Sequence, residues 1–177
     1  MSESLGAGLG DADPGRAVPG RSAAVLVAST RAAAGAYDDR TGPVIVGWLR
    51  ERGFHTQDAT VVPDGPLVGA ALRAAVAARL SLVITTGGTG VSPTDVTADA
   101  TAEILDREVP GFMEELRRRG AAHTPTALLT RGRAGVAERT FVVNLPGSPG
   151  GVRDGLQLLG EVLDHVLDQI AGGAHDD

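Results

Sequence analysis

Residues 23–28 and 82–86 are short runs without a charged side chain, each stopping at a polar or glycine-rich turn. A run that is apolar throughout, rather than at every second position, forms a strand only where both of its faces are covered. The chain must therefore build a sheet lying between helices, and the intervening segments supply them. Pro43 opens a segment that puts Val44, Ile45, Trp48 and Leu49 on one face before Gly53. Residues 67–80 repeat Val68, Leu72 and Val76 every four positions, while 97–107, 111–120 and 152–170 predict three further helices. Further strands are expected at 54–62, 127–129 and 140–143, and a loop over 31–42. Such alternation implies an α/β fold with a mostly parallel sheet and helices on both faces. Ligands then belong beyond the carboxyl ends of the strands.

With 177 residues, 42% of them hydrophobic, the chain is expected to form one domain over 22–172, between a flexible tail at 1–21 and a short tail at 173–177. No apolar run nears the roughly 18 residues of a membrane span, and no export signal is visible, so a cytoplasmic protein with no membrane partner is expected. There is no cysteine, which excludes disulfides, thiolate metal sites and cysteine nucleophiles. All 16 basic residues are Arg. Any phosphate must therefore be met by guanidinium, backbone N–H, hydroxyl or metal. A net charge of −6 and 3% aromatic residues argue against nucleic acid as partner. The four histidines share no metal-ligand spacing. The Arg117-Arg118-Arg119 run reads as a solvated helix end, and Trp48 as a core residue.

Four loops that follow strands carry the chemistry. Thr86, Gly87, Gly88, Thr89 and Gly90 end a buried strand, and their spacing fits either a tight turn or a backbone cradle for an anion. The dinucleotide fingerprint fails at its third glycine, and no Gly-Lys-Ser/Thr is present. Ser92, Thr94 and Asp95 follow. Asp95 reads as a helix cap or as a ligand of Mg²⁺, and Asp64, in a Val-Pro-Asp-Gly turn, reads as a turn residue or as the second carboxylate of one shared metal site. Asn144, Pro146, Gly147 and Ser148 form a stiff turn or a phosphate or pterin cradle, with the Asn144 amide and Ser148 hydroxyl facing the same edge.

Together with Gly35-Ala36-Tyr37-Asp38-Asp39-Arg40-Thr41-Gly42 and Pro110-Gly111-Phe112, these motifs, in this order, resemble the molybdopterin adenylyltransferase family, the MogA/MoaB type of domain. The resemblance covers about residues 23–171 and implies a three-layer α/β/α sandwich, the molybdopterin-binding domain fold. It implies Mg²⁺-dependent transfer of AMP from ATP to the terminal phosphate of molybdopterin, with pyrophosphate released. It further implies a homotrimer that passes its product to a molybdate-inserting enzyme. Asp64 and Asp95 match the family's catalytic, metal-holding acids, and Tyr37 and Asp39 match a third binding loop. Thr94 departs from the pattern, since many members carry a basic residue there. A non-catalytic pterin-binding domain is the alternative to the enzyme.

Overall fold

The computed structural model describes residues 20–173, so of the tails expected at 1–21 and 173–177, residues 1–19 and 174–177 lie outside the described residues. The element order is β1 (Ser22–Ala28), α1 (Thr30–Ala33), α2 (Gly42–Glu51), β2 (His55–Thr56), β3 (Thr60–Val62), α3 (Pro66–Ala77) and β4 (Leu82–Thr86). There follow α4 (Thr97–Ala102), β5 (Arg107–Glu108), α5 (Pro110–Ala121), a 3-10 turn (Pro125–Leu129), β6 (Ala134–Ala137), β7 (Thr140–Leu145) and α6 (Pro149–Ile170).

Seven strands form one sheet in the order β2-β1-β4-β7-β6-β5, with β3 also on β1. β1, β4 and β7 are parallel and in direct register, whereas β6 pairs antiparallel with both β7 and β5. Their side chains alternate between two cores, which is why these runs are apolar throughout. Leu82 and Ile84 of β4 join Phe141 and Val143 of β7 beneath α2, α5 and α6, contacting Ile45, Phe112 and Leu159. Val83 and Val142 point the other way, to Val68 and Leu72 of α3. A three-layer α/β/α sandwich results.

Departures from the sequence expectation are local, and each has a physical cause. The expected loop from Arg31 opens with a one-turn helix, because Ser29 caps it by accepting from the Ala32 N–H. The single strand expected over 54–62 is two strands, with one residue inserted between their pairings to β1 (Ser22 opposite His55, Leu26 opposite Thr60). The helix expected over 97–107 stops at Ala102, and Arg107 and Glu108 instead pair with β6. The strand expected at 127–129 is the 3-10 turn. Pro125 opens it with a fixed φ and no N–H for a ladder, leaving Leu128 and Leu129 exposed. The strand that completes the sheet is β6, whose Ala-Gly-Val-Ala sequence carries little strand propensity. The last strand extends to Leu145, two residues beyond the expectation.

The Arg run at the end of α5 is largely engaged within the protein. Arg117 donates to the Thr130 carbonyl, while Arg118 and Arg119 both grip Glu115, and Arg119 reaches across to Glu161 of α6 through two bonds of 2.7 Å. The hydrogen bonds from Arg118, and then those from Arg119, bring the Glu115 carboxyl down from 4.5 to about 2. A depressed carboxyl contributes stability in full above its unfolded value and loses it as pH falls toward the folded one. Stability should therefore decline between about pH 4.5 and about 2. In acid titrations followed by circular dichroism, Glu115→Gln is expected to show a shallower decline over that window, with the difference shrinking in high salt.

Candidate functional site

β1, β4 and β7 end side by side, and the chains leaving them come into contact. At Gly87, just past β4, φ is +85° and a Cβ would stand 2.3 Å from the Ala28 carbonyl oxygen at the end of β1. A Cβ on Gly147, past β7, would come within 3.2 Å of the Gly87 Cα. Only glycines let three backbones converge this closely. Gly88 follows at φ +65°, where a Cβ would meet the Thr97 hydroxyl at 2.2 Å; that hydroxyl is buried and has no hydrogen-bond partner.

This pinch separates two cavities that share Gly87 and Gly147. The larger encloses 420 Å³ between Gly87, Gly88, Thr89, Gly90 and Asp95 on one side and Pro146, Gly147 and Ser148 on the other. His123 and Thr124, beyond α5, close it. The smaller encloses 140 Å³ beside Ser29, Tyr37, Asp39, Arg40 and Thr86. Most of the residues expected from sequence thus gather at one edge. Asp64 lines neither cavity, and Ser92 and Thr94 bond each other at 3.2 Å on the exposed rim.

Several of these side chains are committed to the protein itself. Asn144 corrects the sequence reading most clearly. It lies within β7 rather than in the loop and is fully buried. Its amide nitrogen donates to Thr85 Oγ1 and Thr101 Oγ1, both at 2.9 Å, and its oxygen accepts from the Arg133 N–H. It fastens β4, α4 and the β6 approach to one another, and its amide does not face the edge. Thr86 is also buried, donating to the Pro146 carbonyl at 2.9 Å. The Ser148 hydroxyl caps α6 by accepting from Gly151, and Asp39 gathers Thr41 and Gly42 at the start of α2.

Asp95 does not cap α4. Asp95 accepts from the Ser92 N–H at 3.0 Å, closing the 92–95 turn, and the α4 cap at Val96 has no side-chain bond. Asp64 accepts from the Thr30 N–H at 2.9 Å and from its hydroxyl at 3.0 Å, and so ties β3 to the first turn of α1. Arg131 carries no local signal in sequence and was missed. Its N–H donates to Thr89 O, its Nε to Gly90 O and its Nη2 to Asp95 O, while Nη1 holds Asp99 at 3.1 Å. One side chain thus braces the glycine loop from behind.

Residues 24–165 match the family described as a probable molybdopterin binding domain. The chain is 36% identical to the molybdopterin adenylyltransferase of Haemophilus influenzae over 78% of its own length and 73% of that protein. The chain belongs to the molybdopterin adenylyltransferase family. It is also 39% identical to a molybdenum cofactor biosynthesis bifunctional protein of Synechococcus elongatus over 93% of its length, where it spans about half (52%) of the relative. The Mog protein structure from Mycobacterium ulcerans superposes with a TM-score of 0.82 at 54% identity, covering 85% of this chain and 99% of that one. This places the domain in molybdenum cofactor biosynthesis.

β3, which leads to Asp64, pairs with β1 and not with β4, so a whole strand separates the two acids' starting points. Each acid already holds backbone, and among the described residues no group of three or more His, Cys, Asp or Glu is placed to bind a metal. No helix among them is long and apolar enough to cross a membrane. Two substitutions separate committed from idle polar groups. Asn144→Ala strands the buried Thr85 hydroxyl and the Arg133 N–H, while the Thr101 hydroxyl keeps its bond to the Thr97 carbonyl, and is expected to cost about 2–4 kcal/mol in urea unfolding. Thr97→Val removes an unpartnered hydroxyl at nearly constant shape, so stability should stay within about 0.5 kcal/mol or rise.

Proposed function

We propose that this domain adenylylates molybdopterin, with ATP as the second substrate. A terminal phosphate oxygen of the pterin attacks the α-phosphorus of ATP; the bond to the β-phosphate breaks, and pyrophosphate leaves with the bridging oxygen's electron pair. The observation that carries the proposal is the 420 Å³ cavity, walled on one side by the Gly87–Gly90 backbone and adjoining, across Gly87 and Gly147, a second, smaller cavity. Phosphoryl chemistry of this kind asks a protein mainly to position the reactants and to stabilise charge. The backbone and hydroxyls of Gly88, Thr89, Gly90 and Ser148, together with the rim hydroxyls of Ser92 and Thr94, serve the phosphates. Tyr37 and Asp39 border the second lobe.

Asp95 is the catalytic acid of this reading, because it lines the large cavity with only one carboxylate oxygen hydrogen-bonded. Asp64 is a positioning residue acting through Thr30. Mg²⁺ enters as part of the nucleotide substrate, which is ordinarily its magnesium complex. The product is an activated phosphate suited to exchange on a molybdate-inserting partner enzyme. The reading includes a cytoplasmic homotrimer; exposed Val91, Leu128 and Leu129, which border one groove, offer an apolar face that such an assembly would cover.

A second reading, pterin binding without transfer, is favoured by Thr94, a hydroxyl where many relatives place a cation. Pyrophosphate release from Mg-ATP and purified molybdopterin decides between the two. Wild type is expected to release pyrophosphate only when the pterin is present. Asp95→Asn keeps the Ser92 bond but removes the charge, and is expected to lose about 100-fold or more in rate. Pterin binding without any release by wild type would overturn the enzymatic reading.

A further inference from the structure

The smaller cavity has a feature that the adenylylation reading does not use. The guanidinium carbon of Arg31 stands 5.4 Å from the centroid of the Tyr37 ring, and that of Arg40 stands 5.7 Å from the same centroid. Tyr37 and Arg40 line the cavity. Among the described residues neither guanidinium has a carboxylate partner. Of the nearby acids, Asp39, which also lines the cavity, accepts from Thr41 and Gly42, Asp64 accepts from Thr30, and Asp38 is exposed. Two cations gathered on one ring beside a hollow, neither of them ion-paired, repel one another, and an anion bound between them relieves that repulsion. Each guanidinium presents a rigid fork of donors matched to phosphate oxygens.

We infer that Arg31 and Arg40, gathered on Tyr37, hold the β- and γ-phosphates of the nucleotide and then the pyrophosphate it releases. The assignment rests on the adenylylation reading for the identity of the nucleotide. Size separates the roles of the two lobes. The 140 Å³ lobe is well under the roughly 300 Å³ of an ordinary small-molecule pocket, whereas the 420 Å³ lobe has room for a heterocycle. A phosphate chain laid over Gly87 and Gly147, where no side chain stands, would reach from one to the other. Asp64 gains a purpose here. By holding Thr30 it fixes the short helix that carries Arg31.

Calorimetric titration of the full chain with inorganic pyrophosphate, ATP and AMP, each with Mg²⁺, tests this without requiring turnover. Arg31→Gln and Arg40→Gln, both at exposed positions, are each expected to weaken pyrophosphate and ATP about tenfold or more and AMP less than about twofold. Tyr37→Ala is expected to follow them and Tyr37→Phe to retain wild-type affinity, since the ring is what gathers the cations. Unchanged pyrophosphate affinity in both arginine variants overturns the inference. So does an equal loss for AMP, which would move the subsite to the α-phosphate. Arginine-dependent pyrophosphate binding by a wild type that never releases pyrophosphate from ATP would defeat the transfer reading and leave this subsite standing.

Discussion

The structure depends on three parallel strands, β1, β4 and β7, that face protein on both sides. β4 and β7 carry no exposed residue, and the two cores interleave through them position by position. Burial on both faces leaves no room within the sheet for chemistry, because an unpaired polar group there would cost several kcal/mol. Asn144, Thr85 and Thr101 are tolerated because they satisfy one another. Ligand chemistry is therefore confined to the strand ends, and the glycines at 87 and 147 follow from that confinement. Three chains emerging about 5 Å apart can form a continuous surface only if they carry no side chains where they meet.

Much of this was legible in the sequence, for reasons that also mark where legibility ended. Continuous apolar runs announce doubly covered strands, and four-residue spacing announces α3 and α6, because burial acts on every residue of those segments. The loops after β1, β4 and β7 could be named as the site because a parallel sheet puts them at one edge. What stayed hidden depends on partners far away in the chain. β6 is a strand because β7 and β5 lie on either side of it, not because Ala-Gly-Val-Ala favours extension. Pro125 turned an apolar triplet into a 3-10 turn, and that turn helps to enclose the cavity. Arg131 looks like any loop arginine until the fold brings it behind residues 89–99.

The two acids show how one sheet edge can give like residues unlike tasks. Sequence placed Asp64 and Asp95 on the same side of the sheet, and the strands that lead toward them, β3 and β4, flank β1. Their hydrogen bonds give them separate tasks, one at the hinge between β3 and α1, the other in the turn that shapes the large cavity. A motif can thus match in residue type while the fold distributes its members among different mechanical roles.

The Arg131 brace has an entropic consequence. Loops rich in glycine sample many backbone conformations when free, and a ligand that must order them loses affinity in doing so. Here one guanidinium and its own N–H pin three consecutive stations of the loop, at Thr89, Gly90 and Asp95, before any ligand arrives. The ordering cost falls on folding, where a long buried sheet can offset it, and the cavity meets its ligand already in shape.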